Sequence, residues 1–491
     1  MKMKTIKYSI CILSAMLLTT ASCNKDFSKL NTNPNTAEKV LPQNLLERAL
    51  IQTVGSNMER SRTITNELMQ VTVNTLVEVD RIFRYDIRRN VAETPWNNWY
   101  VQLTNIKDIY TLADENTADV ARQTYMGISL ILQAWVHSII TDTYGDSPYT
   151  ESNKGKEEIF TPAFDTQKDI YMDMFEKLEE ANKILGGARN ISPAHDPVFA
   201  GNASKWRRFG NSLYLRLLMR LSGKAEVADE VIANIKKIAV DQAFAYPMMI
   251  SNDDSACMRW TGATPRVSPW VTIRDANWNY PKMCSFFVEG LDQTTDPCIS
   301  LWVTLTNGLY EGIPSAYLPG VTPESRSLLP QGLRSNPMTG NILNYAEVQL
   351  MLAEATIKGW ITKTENTKTA KEYYEEGVTN RITYWGRAVG SYLSGAAVAW
   401  DDDDTFEQKM AKIGWQKYLA LFMTDMQSWI EYRRTGYPVL PKGPGLMNDG
   451  IMPARLFYPL SVQATNVQNY NKVIETQGPD DLKTLIWWQK P

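Results

Sequence analysis

The chain has 491 residues, 44% of them apolar, and a formal net charge of −3, so it can bury a sizeable core without an excess of either charge. It carries no polybasic stripe, which excludes the electrostatic footprint of a nucleic-acid or anionic-lipid binder. Five cysteines and two unclustered histidines leave little for a disulfide framework, a histidine zinc site or a Ser-His-Asp arrangement.

The N-terminus reads as an export signal. Lys2, Lys4 and Lys7 precede an apolar run from Ile10 to Leu18, and Thr20-Ala21-Ser22-Cys23 follows. The run is well short of the roughly 20 residues that a spanning helix needs. Cys23 directly after Ala21-Ser22 resembles a bacterial lipobox, although Thr20 stands where such boxes usually carry Leu. Residues 1–22 are therefore expected to be removed, and Cys23 to become a lipidated first residue. Residues 23–40 include Asn24-Lys25-Asp26-Phe27 and Leu30-Asn31-Thr32-Asn33-Pro34-Asn35, a polar, turn-rich stretch suited to a flexible tether. Further on, Met126–Ile140 comes nearest to a membrane span but is interrupted by Gln133 and His137, so the lipid is the expected membrane attachment.

From 41 to 245 the pattern is helical. Leu45, Leu46, Leu50 and Ile51 open it, with Leu68, Val71, Val73, Leu76 and Val79 beyond. Thr94-Pro95 starts a helix whose Trp96, Trp99, Tyr100, Leu103, Ile106 and Tyr110 fall on one stripe, making both tryptophans core candidates. A second helix spans Val120 to Ile140 and stops at Thr143–Tyr149. Asp165-Thr166 caps a third that ends at Gly186-Gly187, and Ser204 caps a fourth with Phe209, Leu213, Leu217 and Leu221 every four residues.

Between 246 and 341 ten prolines preclude long helices, and the intervening residues are aromatic and polar: Trp260, Trp270, Trp278, Tyr280, Trp302, Tyr310, Tyr317. A loop-rich segment of this length inside a folded chain is usually functional. From 342 to 491 helix returns at Tyr345–Trp360, Lys368–Trp385 and Thr405–Glu431, with loop from Arg433 to the end. Asp401–Asp404 lies before the last of these helices, where carboxylates suit the macrodipole, and contiguous Asp does not match a calcium loop. Paired helices of this length suggest stacked hairpins around one irregular insertion, with 41–491 as one domain.

Several stretches together resemble one family, the SusD/RagB nutrient-binding outer-membrane lipoproteins. They are Asp26-Phe27 with Leu30–Asn35, Asp142–Tyr149, Trp206–Ser222, Tyr345–Trp360, Tyr373–Gly386, Trp429–Pro438, Arg455–Pro459 and Asn469-Tyr470-Asn471. The match runs in order along almost the whole chain and best suits the SusD-like branch. Asp296-Pro297-Cys298 departs from it, since the family often has Arg after Asp-Pro. The resemblance implies an all-α fold of about four TPR-like helical hairpins in a superhelical scaffold, with an irregular ligand-facing region at 246–341. It also implies a position on the cell exterior, an oligosaccharide or peptide ligand, and a SusC-like TonB-dependent transporter as partner.

A sugar ring asks for a flat aromatic face and for planar hydrogen-bonding groups. Trp270, Arg274, Asp275, Trp278 and Tyr280 supply both within eleven residues and form the first candidate site. The competing expectation is that these rings pin the irregular segment onto the helices. Asp80, Arg81 and Tyr85 form the second candidate, against a plain surface ion pair. Glu347 and Glu354 share a helix face, but two acids on a repeat helix more often meet arginines, with Arg381, Arg433 and Arg434 available. The reading is a binding protein without catalysis or cofactor, a structural calcium ion being possible but not expected; the alternatives are a peptide receptor of the same build and a lipid-anchored glycoside hydrolase. Pairing among Cys257, Cys284 and Cys298 is left open.

Overall fold

Short polar residues set the helix starts in the computed structural model, which describes residues 40–76, 81–321, 323–324 and 326–491. Cys23, the signal and the tether lie outside the described residues. The first helix, α1, is Pro42–Arg60, followed by α2 Glu93–Glu115, whose Trp96, Trp99, Leu103 and Ile106 are buried as their stripe predicts. Helix α3, Arg122–Tyr144, is buried along nearly its whole length. Thr166 caps α4 (Gln167–Ile184) by accepting from the Asp169 amide. Helix α5 is Ala203–Leu221; its cap is Asn202, accepting from Lys205 N, and not Ser204. Helix α6 is Ala228–Lys236.

The irregular segment holds only short helices, the longest being α7, Ser285–Gln293. Its ends are drawn together by β2 (Ala256–Met258) pairing antiparallel with β4 (Gly340–Leu343). Its middle is pinned by β3 (Pro281–Met283) against β1 (Thr72–Asn74), with Val73 opposite Lys282. The two ribbons fold the segment back onto the helices.

Helix α8 is Tyr345–Ile357, capped by Asn344, and α9 is Ala370–Tyr384, opened by a Thr369–Glu372 capping box. The single helix expected over 405–431 is two, α10 Phe406–Ala420 and α11 Gln427–Thr435. Met423 (φ 59) and Asp425 (φ 28) leave the helical region between them and turn the chain. The loop expected to the end also contains a helix, α12, Val467–Gln477, with Val473 and Gln477 buried.

The fold is all-α. Helices α1/α2, α3/α4, α5/α6 and α8/α9 pack as four TPR-like pairs, successive pairs meeting through α2 with α3, α4 with α5, and α5 with α8. Buried charges lock these contacts. Arg216 of α5 holds Glu347 of α8 at 2.9 and 2.6 Å, and Arg434 of α11 reaches Glu354 at 2.7 Å. One continuous core runs through residues 42–491, which form one compact unit. Among the described residues no helix is long and apolar enough to cross a membrane.

Candidate functional site

Two open hollows share the ring of Tyr317. The larger, about 510 Å³, is lined mainly by apolar groups of Phe286, Pro314, Leu318, Val321, Pro441 and Pro444. The smaller, about 130 Å³, is the more polar of the two, with Asn74, Thr75, Arg81 and Arg84 along its wall.

Local backbone geometry builds this wall. Residues 81–86 form a tight turn closed by Arg81 N to Asp86 O at 3.1 Å and Asp86 N to Arg81 O at 3.2 Å, with Tyr85 at φ 62. The turn drives Phe83 into a small satellite core with Val73, Cys284 and Ile313, against which Tyr317 packs. It also lays the Arg84 guanidinium over the rings of Phe83 and Tyr317, 5.1 and 4.6 Å from their centroids. Arg84 is buried, donates to Leu318 O at 3.3 Å, and has no partner for Nε; burial lowers its pKa.

Tyr317 is held from behind. Ser315 Oγ donates to Phe83 O at 3.2 Å, and Gly445 N donates to Ala316 O at 2.7 Å. A Cβ at Gly443 would stand 2.4 Å from Ser315 O, and one at Gly445 2.3 Å from Tyr317 O. Only glycine lets the 442–445 strip lie this close, so Tyr317 sits on a rigid backing. Met447 N continues the contact to Arg84 O at 2.8 Å.

The sequence candidates distribute unevenly. Trp270 and Trp278 are fully buried, their rings packed at 5.5 Å, and Trp278 Nε1 donates to Leu329 O at 3.1 Å. They therefore offer no face to a ligand, which corrects the expectation of a stacking platform: in a segment without long helices, tryptophans supply the core. Arg274 and Asp275 are exposed, and Asp275 is paired to Arg334 at 2.6 Å. Tyr280 is exposed and its carbonyl accepts from Thr75 Oγ1 at 3.0 Å, beside the smaller hollow. Of the second candidate, Arg81 lines that hollow, Tyr85 is buried, and Asp80 lies outside the described residues.

Phe83, Arg84 and the 441–445 strip were not singled out from the sequence. The Pro441–Gly445 alternation of Pro and Gly was the available signal. Tyr317 was only one aromatic among several.

Among the described residues no three His, Cys, Asp or Glu gather to hold a metal. Burial pushes the Cys284 thiol, which borders the larger hollow, up to about 12, so it is no thiolate nucleophile at neutral pH. Glu347 and Glu354 are both buried in ion pairs rather than flanking a cleft. Burial alone would raise the Glu354 carboxyl, but Arg434 and Lys358 outweigh it and bring it down to about 2. Of the arginines expected to meet these acids, Arg434 does; Arg381 pairs with Asp296 and Arg433 with backbone carbonyls. His137 is buried, and that burial keeps it neutral. Cys257, Cys284 and Cys298 are free.

The sequence profile of the SusD-like family described as "Starch-binding associating with outer membrane" matches residues 34–459. A SusD homolog from Bacteroides fragilis superposes with a TM-score of 0.76 at 25% identity, covering 92% of this chain and 100% of that one. A chitin-binding SusD homolog from Flavobacterium johnsoniae gives 0.78 at 21% identity, over 91% and 98% of the two chains. A further chitin-binding protein gives 0.76 at 23%, over 91% and 99%. No curated protein matches the chain in sequence.

Proposed function

This chain belongs to the SusD-like family, and on that premise we propose that it is a lipid-anchored, surface-exposed receptor that captures oligosaccharide and hands it to a SusC-like TonB-dependent transporter, without catalysis. The observation that carries the reading is the ring of Tyr317, set on a rigid backing between two open hollows with Arg81 and Arg84 beside it. An apolar sugar face can rest on such a ring while hydroxyls take hydrogen bonds from guanidinium and carboxamide groups. Chitin-binding neighbours and the starch-binding family description support a saccharide ligand. Affinity at one such site is modest, because a hydrated sugar gives up good water contacts on binding.

Calorimetric titration with maltohexaose, chitohexaose and a wider saccharide panel tests this. Tyr317→Ala is expected to weaken binding at least tenfold while the melting temperature stays near that of the wild type, because the ring is only half-buried. Unchanged binding in this variant would move the site elsewhere. Release of reducing ends from any polysaccharide would favour the anchored hydrolase, and Cys23→Ala should free the protein from the outer membrane. A peptide ligand is the second reading, favoured by the apolar lining of the larger hollow, which suits an apolar side chain. Titration with a mixed peptide digest addresses it.

A further inference from the structure

A third hollow, about 270 Å³, shares no lining residue with the two around Tyr317. Trp96 and Tyr100 of α2 form its floor, packed at 4.8 Å. Asn97, Asn466 and Ser461 stand along its wall, and among the described residues no charged side chain lines it. On the rim is Phe160, 76% exposed.

The exposure of that ring is built in rather than a consequence of slack backbone. Residues 154–159 close on themselves through Ile159 N to Lys154 O at 3.2 Å, with Glu158 at φ 61. The residues after Phe160 are tied from the opposite element: Asn466 Nδ2 donates to Pro162 O at 2.7 Å and Asn469 Nδ2 to Thr161 O at 3.0 Å. Ala163 N is held by Glu151 at 2.7 Å. An anchored loop thus presents an apolar face over a hollow that mixes rings and aliphatic groups with carboxamides and hydroxyls. Phe244 is more exposed still, yet borders none of these hollows, so exposure alone does not make a site.

We propose that this hollow is a second saccharide site, selective for a neutral sugar ring laid on Phe160 with Asn97 and Ser461 meeting its hydroxyls. The aromatic face with uncharged donors and acceptors fits a neutral pyranose and offers no cation to pair with an anion. The inference rests on the reading of the protein as a saccharide receptor. Two sites on one chain raise the retention of a long polysaccharide, since the second contact is intramolecular.

The test uses the full chain with maltohexaose, chitohexaose, cellohexaose and xylohexaose, titrated into wild type, Phe160→Ala, Phe160→Tyr, Tyr317→Ala and the Phe160→Ala/Tyr317→Ala double variant. Tyr317→Ala is expected to retain weak binding of at least one of these sugars, which the double variant loses by tenfold or more and which Phe160→Tyr preserves. Melting temperatures of the Phe160 variants should match the wild type. If Tyr317→Ala removes all binding and Phe160→Ala changes none, the receptor reading stands and the second site is refuted. If the wild type binds none of the four, the second site is likewise refuted, and the receptor reading is judged on the wider panel.

Discussion

The helical array and the irregular 246–341 segment both bury an interior, but with different emphasis. The array joins its helices with aliphatic stripes and buried ion pairs such as Arg216–Glu347 and Arg434–Glu354. The array buries tryptophans too, Trp99 and Trp206 among them, but the segment has no long helix to carry a stripe and relies on them more heavily: Trp260, Trp270, Trp278 and Trp302 all lie in the continuous core. Ring density in a loop therefore measures how much core the loop must supply, and ligand contact has to be read from which rings remain uncovered. Tyr317 stays half-exposed on a backbone fixed from behind, whereas Trp278 is fixed by its own ring.

Removing the rings that do this packing gives the largest expected effect. Trp270→Ala with Trp278→Ala deletes two fully buried indoles in contact, each substitution of this kind costing about 3–5 kcal/mol. Because the rings touch, the pair is not simply additive, and a total above about 5 kcal/mol is expected in urea unfolding. A near-native unfolding midpoint, with saccharide binding lost, would return these rings to the ligand and overturn the contrast between the two regions.

Much of the array was legible because its signals are local. The stripe of α2 and the Thr166 cap depend on residues within a turn or two of each other. The break between α10 and α11 was not, since Met423 and Asp425 adopt positive φ without a glycine or proline to mark it. Helix α12 escaped notice because few of its residues are buried and its polar residues mask the apolar face. The candidate site was legible only in part. Arg81 was named, but Tyr317 could not be told from the buried tryptophans, because its backbone is backed by Gly443 and Gly445, more than a hundred residues away. Which face of a loop stays open is a long-range property that local patterns do not carry.

A fully buried charge pair joins the two regions, and breaking it ranks second. Arg381 of α9 holds Asp296 of the irregular segment at 2.7 and 3.2 Å, both side chains fully buried. Asp296 also accepts from Cys298 N at 2.8 Å, so the departure from the family pattern at Cys298 leaves this contact intact. Arg381→Met strands a carboxylate in the interior and should cost about 3–5 kcal/mol. Arg381→Met with Asp296→Leu should recover most of that loss, since replacing both partners removes the stranded charge. Equal destabilisation in the single and double variants would mean that the arginine packs rather than pairs.

The smallest expected effect separates charge from packing inside the array itself. Asp425, at the turn between α10 and α11, is buried with one carboxyl oxygen unpartnered, and burial raises its pKa to about 6 against the attraction of Arg216. Its folded-state pKa lies above the unfolded value near 3.9. The folded state therefore holds the proton more tightly, and the associated stability is complete below about pH 4 and lost as pH rises to about 6. Asp425→Asn keeps the acceptor that receives Met426 N and tolerates the left-handed backbone, but it never ionises. At pH 7.5 it should stabilise the chain by about 1–3 kcal/mol, which follows from about 1.4 kcal/mol for each tenfold tightening of proton affinity, discounted for relaxation. Below pH 4 the variant and the wild type should unfold together. A gain that persists unchanged at low pH would assign the effect to packing at the turn and leave its carboxyl without a part in the balance between charge and core.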